Sequence, residues 1–284
     1  MEIKKTPIKR VSFRGIDSLV KLDYLTHPHF SGNKARKLYF YLKNNFPKIK
    51  KLISYGSIQS NAMYSLSYLA KIKGWSFEYY VSKIPSYLKK NPHGNYLEAL
   101  KNGMRVIEAP YPSTFGEDEL FIKEGGAETY AKEGIKLLAK EIKEQIKDED
   151  ISIFLPSGTG TTALYLQQYL DMKVYTTAVV GTKEYLMEQF LALNPDKKRL
   201  PTIIDTKKRY YFGHLYREFL QIWIELKQNT DIEFDLLYDP KGWLALIENI
   251  KEIDSKILYI HQGGLLGNVS MKKRYEREFY EDFR

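Results

Sequence analysis

The sequence predicts an α/β protein built on mainly parallel sheet, and three observations carry that prediction. Short apolar runs alternate with longer helical patterns almost from end to end, the arrangement that βαβ units produce. The 284 residues suffice for one large or two modest domains. The periodicity breaks between Tyr111 and Gly125, at Tyr-Pro-Ser-Thr-Phe-Gly. Two domains are therefore expected, a small one over 46–122 and a large one made of 1–45 and 123–284.

Taken in order, strands are expected at 19–25, 52–55, 77–82, 105–108, 151–155, 173–180, 202–205 and 256–260. The helices between them should cover 35–45, 61–73, 126–147, 162–170, 183–193, 214–227 and 241–251. The first helix is read from Leu38, Tyr39, Tyr41 and Leu42, which recur at helical spacing behind Gly32-Asn33. Ser60 and Asn61 are suited to cap the second, and Pro240 suits the first turn of the last. No repeat, low-complexity tract or long linker interrupts the series.

Composition narrows the classes of function. Hydrophobic residues make up 43% and charged residues 28%, which argues for a folded globular chain. There is no cysteine, which removes disulfides, thiolate metal sites and a cysteine nucleophile together and fits a reducing, cytoplasmic setting. The five histidines hold no HExxH pair, so no metal is expected. The basic start lacks the apolar run of a signal peptide, and no stretch has the length of a membrane span, so no membrane partner is expected. A formal charge of +9 and 23 tyrosines raise nucleic-acid binding, but the basic clusters are scattered between periodic segments, so no nucleic-acid partner is expected. A net positive field also draws small anionic ligands.

Open α/β sheets bind ligands at the carboxyl ends of their strands, so the loops there carry the functional reading. In Ser31-Gly32-Asn33-Lys34-Ala35-Arg36-Lys37-Leu38, Lys34 stands at a helix mouth, where the positive end of the dipole favours a neutral, nucleophilic amine. Ser54-Tyr55-Gly56-Ser57-Ile58-Gln59-Ser60-Asn61 leads from a strand into a helix and suits a carboxylate or phosphate. Pro156-Ser157-Gly158-Thr159-Gly160-Thr161-Thr162 offers two glycines and three threonine hydroxyls around one concavity, which suits a dianionic phosphate, though it lacks the Gly-Lys ending of a Walker motif. Phe234 to Trp243, read as a short strand entering a helix, presents Tyr238 and Asp239; His261-Gln262-Gly263-Gly264 closes the series.

In order as well as in content these loops resemble a family of pyridoxal-phosphate enzymes, the group of 1-aminocyclopropane-1-carboxylate deaminase and D-cysteine desulfhydrase. The family's Gly-Asn-Lys-x-Arg-Lys-Leu is matched by Gly32 to Leu38, and its Ser-x-Gly-x-x-Gln-Ser-Asn by Ser54 to Asn61. The phosphate loop is matched by Ser157 to Thr162, the tyrosine-containing stretch by Asp235 to Lys241, and His-x-Gly-Gly by His261 to Gly264. The resemblance spans about residues 14–268.

It implies fold type II, the tryptophan synthase β-like architecture of two open twisted mainly parallel sheets flanked by helices, with the active site in the interdomain cleft. It implies pyridoxal 5′-phosphate as cofactor, a small amino-acid substrate and a homodimer. Lys34 would carry the cofactor and move protons, Asn61 would bond its ring oxygen, and Gly158, Thr159, Gly160, Thr161 and Thr162 would cradle its phosphate. Gln59, Ser60 and Asn61 would bind the substrate, Ser60 and Tyr238 would act in catalysis, and Tyr216 would stack near the ring. Asp239 would sit beside the ring nitrogen, where the family's deaminases have an acid and its desulfhydrases a hydroxyl. The implied activity is a lyase or deaminase releasing ammonia and a 2-oxo acid. A racemase, a hydroxy-amino-acid ammonia-lyase or a non-catalytic anion-binding or nucleic-acid-binding protein remains the alternative. The chain departs from the family in its shortness, in Pro240 for glycine and in Gln262 between His and Gly-Gly, so the substrate does not carry over with the fold.

Overall fold

Two sheets organise the chain. The computed structural model describes residues 3–30, 32–147 and 150–283; Ser31, at the head of the lysine-bearing stretch, lies outside them. The elements run β1 (Ile8–Phe13), β2 (Ile16–Lys21), α1 (Asn33–Lys37), α2 (Tyr39–Lys43), β3 (Lys51–Tyr55), α3 (Asn61–Lys73), β4 (Ser76–Val81), α4 (Ser86–Lys90), α5 (Gly94–Lys101), β5 (Met104–Glu108) and β6 (Glu119–Phe121). They continue with α6 (Ala131–Gln145), β7 (Ile151–Ser157), α7 (Thr161–Tyr169), β8 (Val174–Ala178), α8 (Lys183–Leu193), β9 (Thr202–Ile203), α9 (Arg217–Thr230), α10 (Asp239–Asn249), β10 (Lys256–Ile260) and α11 (Asn268–Glu278).

The larger sheet has six strands in the order β1-β2-β10-β7-β8-β9, the smaller four in the order β5-β4-β3-β6. Every pairing is parallel except β1 with β2. Helices cover both faces of the larger sheet, so its central strand β7 is buried along its whole length. One face packs Ile135, Leu138 and Ile142 of α6 and Leu164 of α7; the other packs Phe219, Ile222, Trp243 and Tyr259. The core of the smaller sheet also takes in Phe30, Ala35, Leu38, Tyr41 and Leu42, so α1 and α2 pack with it although they precede its first strand.

The central strands β10 and β7 end side by side, which brings the His261 loop next to the Ser157 loop. That adjacency positions the site. On the smaller sheet β3 delivers its loop to α3, where the Ser60 side chain accepts from the backbone N–H groups of Ala62 and Met63, at 3.1 and 3.4 Å, as an N-cap does.

Several elements differ from the sequence reading. The strand expected at 19–25 lies at Ile16–Lys21, paired with the unforeseen β1 through Arg14-Gly15, both at positive φ as a two-residue hairpin requires. The helix expected at 35–45 breaks at Leu38 into α1 and α2. Residues 234–237 form no strand, because the Asp235 carboxylate gathers the N–H groups of Leu237 and Tyr238 and bends the chain into α10. The short elements β6, α4 and α5 were not foreseen either, nor was α11, whose charged sequence buries only Asn268, Ser270, Met271 and Tyr275.

Candidate active site

A cavity of about 310 Å³ lies where the loops of both sheets converge. Lys34, Gln59, Ser60, Asn61, Gly158 to Thr162, Tyr238 and Asp239, eleven residues expected at the site from loops spread across some two hundred positions, all line it.

Lys34 is presented by α1, which is docked hard against the His261 loop. Asn33 N donates to the Gln262 carbonyl at 2.9 Å, and a Cβ on Gly32 (φ +43) would collide with that same oxygen, so only glycine allows the approach. The Gln262 side chain completes the clamp: it accepts from Asn33 Nδ2 at 2.9 Å and donates to the Pro156 carbonyl at 2.6 Å. The residue that set this sequence apart from the family thus ties the lysine helix to the end of β7. Lys34 Nζ donates to Asn33 Oδ1 at 3.0 Å. Burial lowers its pKa to about 8, against the opposing pull of Asp235. An amine in that range is neutral often enough to attack a carbonyl.

Lys37, one helical turn on, reaches the same cavity. Its Nζ donates to Thr159 Oγ1 at 3.1 Å and to the Gly125 carbonyl at 3.2 Å, and burial, with Lys34 nearby, holds its pKa well below that of an ordinary lysine. The sequence reading passed over it, although three residues from Lys34 is the same face of a helix. Opposite, Thr159 and Thr161 exchange a hydroxyl bond of 3.0 Å, and the buried Thr162 Oγ1 has no hydrogen-bond partner among the described residues. Gly160 (φ +70) turns the loop, and a side chain there would strike Phe190 and Leu186.

Beneath the lysine lie two buried carboxyls. Asp239 accepts from Tyr259 Oη at 2.6 Å and from Asp235 N at 2.9 Å; burial lifts its pKa to about 7. Asp235 is raised well above the carboxylate range by burial and by the charge of Asp239. His261, 3.6 Å from Asp239, is driven down to about 4 by burial and stays neutral. Two acids this close do not both ionise readily, so the pair holds a proton. Asp235, which the sequence reading quoted only as the start of a motif, is the one whose charge reaches both Lys34 and Tyr238. Burial, followed by the Asp235 charge, raises the Tyr238 hydroxyl, which is therefore a neutral donor.

Tyr216 is the exception. It does not line the cavity: its ring packs edge-on against Tyr210 and Phe219, and its hydroxyl accepts from Tyr211 N at 3.0 Å. Phe212 lies on the cleft instead, 5.5 Å from the Tyr238 ring, because the glycine turn at Gly213 (φ +75) sends the two aromatics to opposite sides. Among the described residues no cluster of three or more His, Asp or Glu side chains is arranged to hold a metal, and no helix is long and apolar enough to cross a membrane.

No family model matches the sequence. A candidate 1-aminocyclopropane-1-carboxylate deaminase of Thermotoga maritima is 25% identical over 96% of this chain and 98% of its own. The mitochondrial bifunctional D-cysteine desulfhydrase/1-aminocyclopropane-1-carboxylate deaminase of Arabidopsis thaliana is 24% identical over 92% of this chain and 77% of its own. The crystal structure of a 1-aminocyclopropane-1-carboxylate deaminase homologue superposes with a TM-score of 0.79 at 25% identity, over 95% of this chain and 93% of that one. Two mainly parallel sheets with a buried lysine and a glycine-threonine turn lining one cavity define a pyridoxal-phosphate enzyme of fold type II. Within that class the chain is a relative of the 1-aminocyclopropane-1-carboxylate deaminase and D-cysteine desulfhydrase group.

Proposed function

We propose that the protein is a pyridoxal-phosphate-dependent lyase or deaminase acting on a small amino acid of the 1-aminocyclopropane-1-carboxylate or D-cysteine kind, releasing ammonia and a 2-oxo acid. The observation that carries this reading is the cavity with Lys34 on one wall and the unpartnered Thr162 hydroxyl on another. Its volume lies at the lower end of small-ligand sites, about 300–1,000 Å³. A phosphate there would answer a buried donor left open and a lysine, Lys37, that burial alone leaves short of a counter-charge. The residues present therefore fit the cofactor. Lys34 would hold it, Gly158 to Thr162 with Lys37 would hold its phosphate, Asn61 its ring oxygen, and Asp239 its ring nitrogen.

Bound there, the cofactor supplies an electron sink for the pair left when a bond at the substrate's α carbon breaks. The chain's own residues do the rest. The start of α3, with Gln59, Ser60 and Asn61, takes the substrate carboxylate on backbone N–H groups and on the Ser60 hydroxyl, whose oxygen already caps the helix. Lys34 Nζ, once displaced, is the base, its pKa near that of the medium. Tyr238, a neutral phenol, gives its proton on the side of the leaving group. The smaller lobe, 46–122, closes over the cleft and excludes water. We further propose a cytoplasmic homodimer, a setting compatible with the absence of cysteine.

Purified protein with added cofactor should show the near-visible absorbance of bound pyridoxal phosphate, and Lys34→Ala should abolish it. A wild type that stays colourless sinks the reading. Product analysis with a panel of D- and L-amino acids then separates deamination from racemisation.

A further inference from the structure

The polarity of one half-buried side chain of the cleft, Asn61, is dictated from outside it. Asn95 opens α5, is fully buried, and belongs to none of the loops that carried the sequence reading. Its Nδ2 donates to the Gln59 main-chain carbonyl at 2.9 Å and to Asn61 Oδ1 at 2.8 Å. A main-chain carbonyl can only accept, so the end of the Asn95 amide that meets it has to be the NH₂. That NH₂ in turn requires an acceptor from Asn61. The oxygen of Asn61 is therefore turned toward α5, and its own NH₂ is left facing Gly264, where a Cβ would lie 2.9 Å from it. The approach of α5 that makes this possible depends on Gly94 (φ +58), since any side chain there would meet Ser270 Oγ at 2.5 Å.

Resting on the function proposed above, in which Asn61 bonds the cofactor's ring oxygen, we propose that Asn95 is a positioning residue that dictates which end of the Asn61 amide faces the cofactor. An isolated asparagine presents its oxygen or its nitrogen with little preference, and against an anionic ring oxygen the oxygen would repel. The Gln59 carbonyl removes that freedom through two amides in series. Asn95 never touches the cofactor.

The test is a spectrophotometric pH titration of the near-visible band of the cofactor-loaded protein, with cofactor affinity measured by equilibrium dialysis. Asn95→Asp presents only acceptors to Gln59 and Asn61, so Asn61 turns its NH₂ outward and its oxygen inward. The anionic ring oxygen then loses a donor, the midpoint of the titration should rise by about one pH unit, and affinity should fall about tenfold. Asn95→Ala, which leaves Asn61 free to choose, should move both in the same direction by less, and it carries the test should the aspartate variant not fold. In an Asn61→Ala background either substitution should leave the midpoint unmoved, because the group it acts through is gone. Folded Asn95 variants with the wild-type midpoint, or an equal shift in the Asn61→Ala background, overturn the positioning role alone. A wild type without any band overturns the proposed function and this inference with it.

Discussion

Lys34 is one lysine among 44 basic side chains, and burial in the cleft is what separates it from the rest. Its amine should be trapped as a pyridoxal-phosphate adduct by borohydride with a midpoint near pH 8; trapping that rises only toward 10.5 would mean a solvated side chain. The carboxyls beneath it make the opposite demand. A carboxyl raised from 3.8 to about 7 keeps its proton in the folded chain after the unfolded chain has lost it, so the contribution to stability falls as pH rises through that window. In cofactor-free protein, Asp239→Asn should therefore gain in unfolding midpoint relative to wild type between about pH 4 and about pH 7. A difference that does not grow with pH would count against the raised carboxyl. Asparagine fits the site, since its oxygen can accept from Asp235 N while its NH₂ meets the rotatable Tyr259 hydroxyl. At this scale Lys34, Asn61 and the threonine turn were legible because each stands inside a short motif whose neighbours declare it. Lys37, Asp235 and Asn95 were not, since the partners that give them meaning are remote in sequence or presented by another element.

Helix α1 has five residues and is too short to persist alone. Its stability is borrowed. The Arg36 guanidinium, fully buried, donates to Asp23 at 2.7 Å and to Glu141 at 2.6 and 2.9 Å, and Lys21 adds a bond of 3.0 Å to Glu141 and one of 2.7 Å to Gln145. Burial opposes the charge on Arg36, but the two carboxylates outweigh it and hold the guanidinium ionised. Arg36→Ala should cost about 3–5 kcal/mol in denaturant unfolding, because it strands the buried Asp23 carboxylate and leaves Glu141 with Lys21 alone. A loss under about 1 kcal/mol would show that water or Lys21 takes over. The motif that announces the lysine thus also contains the residue that anchors it. What the motif did not announce is the break at Leu38, where the backbone leaves helical geometry so that Leu38 itself can bury against the smaller sheet. The same limit explains α11: eleven residues of mostly charged sequence show little periodicity, and only packing on Leu220 and Leu236 gives it a buried face.

Over the whole molecule, the cleft is lined from both sheets, so a ligand bridging it should stabilise the chain as a unit. Pyridoxal phosphate at a hundredfold excess over its dissociation constant should add about 2.7 kcal/mol to unfolding, seen as a higher melting temperature in wild type and not in Lys34→Ala. Equal gains in both would mean a site elsewhere. The alternation of strand and helix, the order of the loops and the residue types within them are local properties, and the sequence by itself determined them: hydrophobic period and turn chemistry act between near neighbours. Tertiary structure alone decided that β10 and β7 end together, that α1 docks on Gln262, that Tyr216 turns away while Phe212 turns in, and which end of Asn61 faces the cleft. Each of these is a contact between segments distant along the chain or a choice among backbone turns, and its outcome rests on close packing and hydrogen-bond polarity that no local pattern records.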